Sequence, residues 1–552
     1  MLAGTAQLFH GAREVGITID EPTHLSRTQG WLDEGWYVPE AFLVDGEPGT
    51  GKSATPYVYG PAFSATAHGI NRLAGNESSG SVSASKDAWL VRHLLSALIA
   101  LATTLAVALA VWAATGSVTF ALWAAAALLA IPVWTGMGFF NPKDTPAAAG
   151  YTMFTAGLLL ALARSACGRI TLPRGVGIAV LVGLGFLLGA GTRLPLWLPL
   201  VASLAGYAVL LLLRNRFGGG VDRAGPVAVA VGSLIGVAGV AAIYPAAVAE
   251  PFEFLTDTIS NSSDYPWTGL TLTAGSLLSE NPPWWYLPTW AFASTPALIF
   301  LLAIGGAGTF VWSGFKPVTG GAHALLRSLG ERRDLGILLV LQQALLLSVG
   351  SVVLGSNMYT GLRQHLYLVP ALAILSGYAG YRLWSFLDQR ASGQSWRRAA
   401  VGGLLCAALL VPMAEQVLLF PYNYTYINPV AGIGGVNDRW ETDFWGASQR
   451  EGLRRVPAGQ DVRCIYAPAV RTPGFLPGEC VDFRAPPYLD ERGEDAASIP
   501  EVPGKVWVVT SKRAGGIPPG FCQSEDNVTR WVRGEEVVMS YVGRCDRARL
   551  DR

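Results

Sequence analysis

Two adjacent carboxylates, Asp20 and Glu21, stand in a polar stretch near the start of the chain, ahead of a long series of apolar segments. A carboxylate held beside a reacting group can take the proton of an attacking hydroxyl, which is general-base chemistry. When the hydroxyl attacks the anomeric carbon of a sugar on the face opposite the leaving group, one such base is sufficient and the configuration inverts. Two ordinary solvated loop acids would give the same sequence pattern.

Other charged residues, of types that bind phosphate, stand at the ends of the apolar segments. Lys143 and Asp144 form a turn, Arg193 closes one segment, and Arg363 with His365 opens another. Lys and Arg contact phosphate oxygens, while a neighbouring carboxylate holds the phosphate-binding group or the acceptor. The competing interpretation is structural, because charges at the ends of spans also serve as interface anchors, helix caps or snorkelling side chains.

Two further motifs match patterns for metal binding and for nucleotide-phosphate binding, but the sequence around them argues against both functions. Asp20, Glu21 and His24 are metal-ligand types, but that spacing would need a helix, Pro22 lies between them, and no His/Cys cluster occurs elsewhere. We therefore predict no cofactor and no metal site, and leave open a hard cation bridging carboxylate and phosphate. Residues 46–53, GEPGTGKS, match the phosphate-binding loop pattern, but the prolines that follow argue against the helix which that loop requires.

The composition indicates a polytopic membrane protein. Of the 552 residues, 51% are hydrophobic and 14% charged, and the mean hydropathy is +0.36. The formal charge of +1 gives no indication of nucleic-acid binding. Ten apolar segments are long enough to cross a bilayer as helices: residues 88–115, 118–137, 146–163, 175–191, 194–213, 225–249, 290–315, 335–355, 366–387 and 399–420.

The arginines and lysines between these segments predict their orientation. They concentrate in alternate connections, which the positive-inside rule places in the cytoplasm. Residues 1–87 then form an extracytoplasmic first loop that carries the acids, and residues 88–420 form the membrane domain. Ten spans leave both ends outside, but the apolar run at residues 1–9 is too short to cross a bilayer or to act as a signal peptide, so we predict an eleventh, leading span upstream of this start site. The alternative is that residues 1–87 are exported by the first complete span.

Residues 421–552 predict a small extracytoplasmic α/β domain. Short apolar runs at residues 462–466, 506–510 and 536–542 alternate with Pro- and Gly-rich turns, as strands do. Four of the six cysteines lie here, at positions 464, 480, 522 and 545. On the oxidising side of a membrane they predict two disulfides; pairing of sequence neighbours is the simplest connectivity, and the other two stay open.

Several short motifs act together as a family signature. They are DE at 20–21, YGP at 59–61, NPKDTP at 141–146, RQHLYLVPALAIL at 363–375, PYNYTYINP at 421–429 and ETDFWG at 441–446. In combination they resemble polytopic glycosyltransferases of the GT-C superfamily, especially the protein O-mannosyltransferase and aminoarabinose-transferase-like group. The resemblance implies an all-α GT-C-like membrane fold and a sugar donor on polyprenyl phosphate. It also implies Asp20 as base with Glu21 beside it, and Lys143, Arg193 and Arg363 on the donor phosphate.

We therefore predict an inverting glycosyltransferase at the outer face of the cytoplasmic membrane. Asp20 and Glu21 are its expected catalytic residues; the expected substrate-binding residues are Lys143, Asp144, Arg193, Arg363 and His365. The expected partners are a polyprenyl-phosphate-linked sugar, membrane lipid, and a hydroxyl acceptor on a protein, a glycolipid or a cell-wall glycan. A lipid-tethered donor suits this topology, since nucleotide sugars do not readily cross bilayers and the membrane helps to position the donor.

The competing class of protein is a transporter or flippase of lipid-linked sugars, for which ten or eleven spans would also be suitable. In such proteins the charged residues mark a substrate path through the membrane. Here the charges concentrate at one surface, which favours the enzyme.

Overall fold

The computed structural model describes residues 1–49, 54–78, 85–163, 170–217, 222–263, 265, 270–279, 281–314, 321–390, 395–456, 462–465, 505–512, 522–524 and 526–546. The first part contains three helices and a small hairpin: α1 (Leu2–Glu14), α2 (Asp20–Glu34), β1 (Leu43–Val44), β2 (Glu47–Pro48) and α3 (Ala62–Ala74).

The central part is a helical bundle interrupted by one hairpin. Its elements are α4 (Lys86–Thr115), α5 (Val118–Ala130), α6 (Pro132–Gly138), α7 (Asp144–Leu162), α8 (Leu172–Thr192), α9 (Trp197–Phe217), α10 (Ala224–Ile243), α11 (Pro245–Val248), α12 (Pro251–Ser263), β3 (Thr271–Thr273), β4 (Ser276–Leu278), α13 (Tyr286–Ala293), α14 (Ala297–Gly314), α15 (Gly321–Glu331), α16 (Ile337–Val353), α17 (Leu368–Arg390) and α18 (Ser395–Leu419).

The apolar helices agree with the predicted multi-pass membrane architecture. Within the described ranges, eight helices are long and apolar enough to cross a membrane, or nine if α5 and α6 count as one bent span. The predicted span 118–137 is in fact this pair, which meets at 69°. Pro132 is at the break, as the first residue of α6. Proline is tolerated in the first turn of a helix but breaks or kinks a helix interior. α17 coincides with the predicted span 366–387 but is not among the eight.

The first region differs from the loop that we predicted. α1 packs on α4, α5 and α6, and Asp20 and Glu21 form the first turn of α2 instead of lying in a loop. Pro22 does not prevent this helix, because a proline in the first turn removes no hydrogen bond that the helix would otherwise make. Two acids at a helix N-terminus are also favoured by the helix dipole.

Glycines set the distance between α7 and α8 at the centre of the bundle. Every residue of α7 is buried. A Cβ atom added to Gly150 would lie 2.2 Å from the backbone nitrogen of Gly189, and one added to Gly185 would lie 2.5 Å from that of Phe154. The two backbones therefore touch, as small residues allow between membrane helices, and this brings the start of α7 next to the end of α8.

The last part is a small mixed domain. It contains α19 (Gln449–Arg455), β5 (Val462–Ile465), β6 (Lys505–Ser511), β7 (Cys522–Ser524), β8 (Val528–Val532) and β9 (Glu535–Asp546). The sheet order is β5-β6-β9-β7, with β8 also paired to β9; among these described strands, β5 and β6 pair in parallel and the other pairs are antiparallel. The three predicted strands are confirmed as β5, β6 and β9.

The cysteine pairing stays a prediction. The register of β7 and β9 sets Cys522 opposite Cys545, which is the sequence-neighbour pair that we expected. Cys480 lies outside the described residues.

Candidate active site

Asp20, at the first position of α2, is the centre of an ion cluster. Its Oδ2 atom lies 2.5 Å from Lys143 Nζ and 2.8 Å from Arg363 Nη1. The three residues come from α2, the turn before α7, and the 3-10 turn Arg363–His365 that precedes α17. The structure therefore brings together three residues that are up to 343 positions apart in sequence.

A second ion pair joins the ends of α7 and α8 beside this cluster. Arg193 Nη2 lies 2.6 Å from Asp144 Oδ1. Asp144 is the first residue of α7 and Arg193 directly follows α8, so the glycine contact between these helices brings the pair together. Burial of Asp144 within the bundle, where its side chain is 1% exposed, requires such a partner.

The turn before α7 directs Lys143 and Asp144 to different partners. The Oδ1 atom of Asn141 accepts hydrogen bonds from the backbone nitrogens of Lys143 and Asp144, at 3.1 and 2.8 Å. The Nδ2 atom of Asn141 donates to Asp144 Oδ2 at 3.1 Å. The Asn141 side chain thus caps the first backbone N–H group of α7, and the Asp144 side chain is left to bind Arg193.

Within the described part of the chain, the cluster has one more cation than it has carboxylates. Lys143, Arg193 and Arg363 face only Asp20 and Asp144 in these ion pairs. The side chains of Asp20 and Arg193 are 27% and 22% exposed, whereas the other three are 9% exposed or less. An incoming anion would therefore meet Asp20 and Arg193 first, in a site whose net charge attracts it.

The aromatic rings of Tyr59, Trp445 and Tyr359 lie over the cations, and the Tyr359 ring centroid is 4.8 Å from the guanidinium carbon of Arg363. The Tyr59 ring centroid lies 5.1 Å from Lys143 Nζ and 5.8 Å from the guanidinium carbon of Arg193. The Trp445 ring lies 5.5 Å from Lys143 Nζ and 5.0 Å from the guanidinium carbon of Arg363. Cations over ring faces are stabilised by the ring quadrupole, so these rings fix the positions of the cations.

The close approach of Tyr59 depends on its neighbour. Gly60 donates its backbone N–H to the carbonyl oxygen of Thr192 at 3.0 Å. A Cβ atom added to Gly60 would lie 2.4 Å from the carbonyl oxygen of Gly191. The YGP motif therefore lays Tyr59 against the end of α8, beside Arg193.

The cations determine the protonation of the cluster. Burial alone would raise the pKa of Asp20, but Lys143 and Arg363 outweigh it and hold that pKa well below its usual value of 3.8. Asp20 is therefore ionised at any working pH. Burial, with Arg193 nearby, lowers the pKa of His365 to about 3, which keeps its imidazole neutral.

Glu21 points away from the cluster. It is fully buried, and its Oε2 atom accepts hydrogen bonds from the backbone nitrogen and the hydroxyl of Thr18, at 2.7 and 2.8 Å. Its Oε1 atom lies 2.7 Å from Nε2 of His93 on α4, whose Nδ1 lies 3.0 Å from the carbonyl oxygen of Ala12. These contacts anchor the first turn of α2 to α4 and α1.

A cavity of about 140 Å³ opens beside the ion pairs. Asp144, Arg193, Arg363 and His365 line it, whereas Asp20 contacts Arg363 but does not line the cavity. His365 is oriented by Ser351, with Nε2 3.1 Å from the hydroxyl oxygen. The predicted substrate-binding residues thus surround one space, except Lys143, which faces Asp20.

A tight turn from the C-terminal part holds the segment that leads into Asp20. Asp443 accepts hydrogen bonds at 3.0 Å from the backbone nitrogens of Ala447 and Ser448. This turn presents Trp445 to the cluster, and the carbonyl oxygen of Trp445 accepts from the backbone N–H of Ile19 at 3.0 Å. A segment of the C-terminal part therefore helps to hold the residues that lead into Asp20.

His24 does not join Asp20 and Glu21 in a metal-ligand arrangement. Its Nδ1 atom lies 3.2 Å from the hydroxyl of Tyr37, and Glu21 is held by Thr18 and His93. Among the residues that the structure describes, no three His, Cys, Asp or Glu side chains lie together as a metal site would require.

No family model matches the chain, and no curated protein matches it. Solved structures similar to it include ArnT from Cupriavidus metallidurans bound to undecaprenyl phosphate, with TM-score 0.44 and 14% identity over 99% of this chain and 97% of that one. Another is the oligosaccharyltransferase AglB from Archaeoglobus fulgidus in complex with an inhibitory peptide and a dolichol-phosphate, with TM-score 0.44 and 13% identity over 81% of this chain and 55% of that one.

Both are proteins of the kind that the sequence motifs resemble, an aminoarabinose transferase and an oligosaccharyltransferase of the GT-C fold.

Proposed function

We propose that this protein is an inverting glycosyltransferase that moves a sugar from a polyprenyl-phosphate donor to an acceptor hydroxyl. The contact of Asp20 with Lys143 and Arg363 carries the proposal. It joins a partly exposed carboxylate, which can take a proton, to two cations, which can bind a phosphate. One cluster therefore contains a group that can accept the proton of the acceptor and groups that can bind the leaving phosphate.

The proposed reaction is a single displacement. The acceptor oxygen attacks the anomeric carbon from the face opposite the phosphate, and its proton passes to the Asp20 carboxylate. The bond between the anomeric carbon and the phosphate oxygen breaks, and polyprenyl phosphate leaves with the bonding electrons. Lys143 and Arg363 stabilise the charge that develops on the leaving phosphate.

Donor binding would also activate the base. Without a donor, the Asp20 carboxylate holds the two cations itself, and its low pKa makes it a weak base. A donor phosphate competes with it for Lys143 and Arg363, and this competition raises the pKa of Asp20. The carboxylate thus becomes a better proton acceptor only when the donor is in place, and the site does not have to keep a reactive base free.

The remaining predicted residues take supporting roles in this scheme. Arg193, with 22% of its side chain exposed beside the cavity, binds a second phosphate oxygen or a sugar hydroxyl, and Asp144 orients it. Neutral His365 can donate to or accept from a hydroxyl. Glu21 positions Asp20 through Thr18 and His93 and does not contact the substrate.

The donor class follows from the cations and the membrane setting. We place the site at the outer face of the cytoplasmic membrane, where a lipid-linked sugar is accessible and a nucleotide sugar is not. A neutral hydroxyl on a protein, a glycolipid or a cell-wall glycan is the acceptor. The bilayer confines the donor to the plane of the cluster, which lowers the entropic cost of alignment.

The test is a transfer assay on the purified chain with radiolabelled sugars on polyprenyl phosphate. Asp20→Asn should lower transfer by roughly 10²- to 10⁴-fold, the usual contribution of a general base. Its affinity for the donor should stay the same or rise, because the competing carboxylate charge is gone. Asp33→Asn, an exposed acid on the same helix, is the matched control and should keep full activity. Full transfer by Asp20→Asn would overturn the proposal.

A further inference from the structure

A second charged cavity lies at the other end of the helical bundle. α4 connects the two ends: His93 contacts Glu21 beside the first cluster, and Thr115 lines the second cavity. The two residues are about six helical turns apart, roughly 33 Å at 1.5 Å per residue. This distance is close to the thickness of a bilayer hydrocarbon core, about 30 Å, so the cavity lies near the opposite membrane surface.

The cavity has a volume of about 410 Å³, and among the residues that the structure describes, one carboxylate and three guanidinium groups line it. Asp334 binds Arg332 through both oxygens, Nε to Oδ1 at 2.8 Å and Nη2 to Oδ2 at 3.0 Å. Tyr378 donates its hydroxyl to the same carboxylate at 2.5 Å. The charges of Asp334 and Arg332 therefore cancel within a fixed, bidentate pair.

Two cations are left to face the cavity. Arg382 Nη1 lies 3.3 Å from Asp334 Oδ2, a looser contact, and its side chain is 38% exposed. Arg333 is exposed and lines the cavity. Its guanidinium lies against Gly116, where an added Cβ atom would be 2.4 Å from Nη2 and where φ is +74°. The glycine turn between α4 and α5 thus leaves the room that Arg333 occupies.

We propose that this cavity binds the phosphate group of an anionic membrane lipid. Two guanidiniums on one space match the oxygens of a phosphate group. The cavity is beside apolar surface that lipid chains can cover: Val118, at the start of α5, is 61% exposed, and Trp312, next to the lining residue Ser313, is 76% exposed. A basic connection that only sets the orientation of the spans would need neither the cavity nor the fixed carboxylate.

The test measures lipid binding by native mass spectrometry of the full chain in detergent, titrated with phosphatidylglycerol or with phosphatidylcholine. We expect preferential binding of phosphatidylglycerol. The double variant Arg333→Gln/Arg382→Gln should weaken it roughly tenfold or more, at about 1 kcal/mol for each arginine near a membrane surface. Arg397→Gln removes an exposed charge at the start of α18 and should bind as the native chain does.

Further arms separate this site from the first cluster and from free phosphate. Arg363→Gln, at the opposite end, should weaken phosphatidylglycerol binding far less than the double variant does. If it weakens binding as much as the double variant does, the lipid sits at the first cluster and the proposal fails. The proposal also fails if inorganic phosphate displaces the lipid at equal concentration, or if the double variant binds normally. The single variant Arg333→Gln changes an exposed residue and gives a several-fold test should the double variant not fold.

Discussion

At the scale of single residues, Asp20 serves the free protein and the reaction in different ways. In the free protein its carboxylate is the counter-ion of Lys143 and Arg363. In the proposed reaction a phosphate takes over that task and Asp20 accepts a proton. The protonation of Asp20 therefore depends on whether the donor site is occupied.

The pH dependence of transfer tests this exchange. The pKa of Asp20 in the free protein lies below its ordinary value of 3.8. Its carboxylate therefore stays ionised as the pH falls and becomes protonated only in stronger acid. We expect kcat/KM for the donor, which reports the free enzyme, to show no acidic decline from Asp20 above about pH 4. We expect kcat, which reports the donor complex, to decline at a higher pH. An acidic limb at higher pH in kcat/KM than in kcat would contradict the exchange.

His93 offers a second test at this scale. His93→Gln cannot keep both the Glu21 and the Ala12 contacts in the same geometry, and it leaves a buried carboxylate without its ring partner. We expect the free energy of unfolding to fall by about 1–3 kcal/mol, the usual cost of an unsatisfied buried polar group. We also expect kcat to fall while KM for the donor stays unchanged, because the phosphate-binding cations are not touched.

Arg363→Gln is the contrasting variant. It removes a phosphate-binding group, so KM for the donor should rise. If His93→Gln also changed mainly KM, Glu21 and His93 would belong to the donor site and not to the support of Asp20.

At the scale of elements, the α7–α8 contact sets the position of the Asp144–Arg193 pair. Gly150→Ala places a methyl group where the backbone nitrogen of Gly189 lies 2.2 Å away, so the helices must separate. Such overpacking costs about 1–3 kcal/mol. We expect donor affinity to fall roughly tenfold as Arg193 is displaced, measured by lipid titration of the purified chain.

Gly177→Ala on α8 is the matched control. A Cβ atom added there meets no atom within 4 Å, and alanine is favoured over glycine in a helix interior by about 1 kcal/mol. This variant should keep donor affinity and unfold at the same or a higher temperature. Equal loss of affinity in both variants would show that α8 responds to any added methyl group, not to the contact with α7.

The elements also show which parts of the site the sequence could predict. Hydropathy and the alternation of basic connections depend on composition, so the helices and the shared side of Asp20, Lys143, Arg193 and Arg363 could be found without coordinates. The helical start at Asp20 could not, because Pro22 looked like an obstacle and is tolerated in a first turn.

Other features depend on contacts between distant segments. Trp445 meets Lys143 and Arg363 only after the chain has folded back, and His93 lies inside an apolar span with no sequence signal that links it to Glu21. The YGP and ETDFWG motifs drew attention to Tyr59 and Trp445, but a sequence motif does not show which residues it contacts in the folded chain.

At the scale of the whole molecule, the C-terminal part is attached to the residues that carry the chemistry. The turn held by Asp443 contacts the segment before α2 through Trp445 and Ile19. Asp443→Ala removes the acceptor for two backbone N–H groups, so the turn should loosen and Trp445 should move. We expect transfer to fall roughly ten- to a hundredfold, as small displacements of catalytic groups do.

Asp438→Ala changes an exposed acid in the same segment and should leave transfer unchanged. Normal transfer by Asp443→Ala in the same assay would mean that the C-terminal part folds independently of the cluster.

The length of α4 has a consequence for the membrane in which this protein works. One rigid helix fixes the separation of two polar ends, each of which needs access to water or to lipid head groups. A bilayer with longer acyl chains would draw one end into hydrocarbon, and one with shorter chains would leave apolar surface uncovered, at a cost for each ångström of mismatch. Transfer should therefore be greatest at one acyl-chain length, and a cell that remodels its lipids with temperature would tune this protein without changing its sequence.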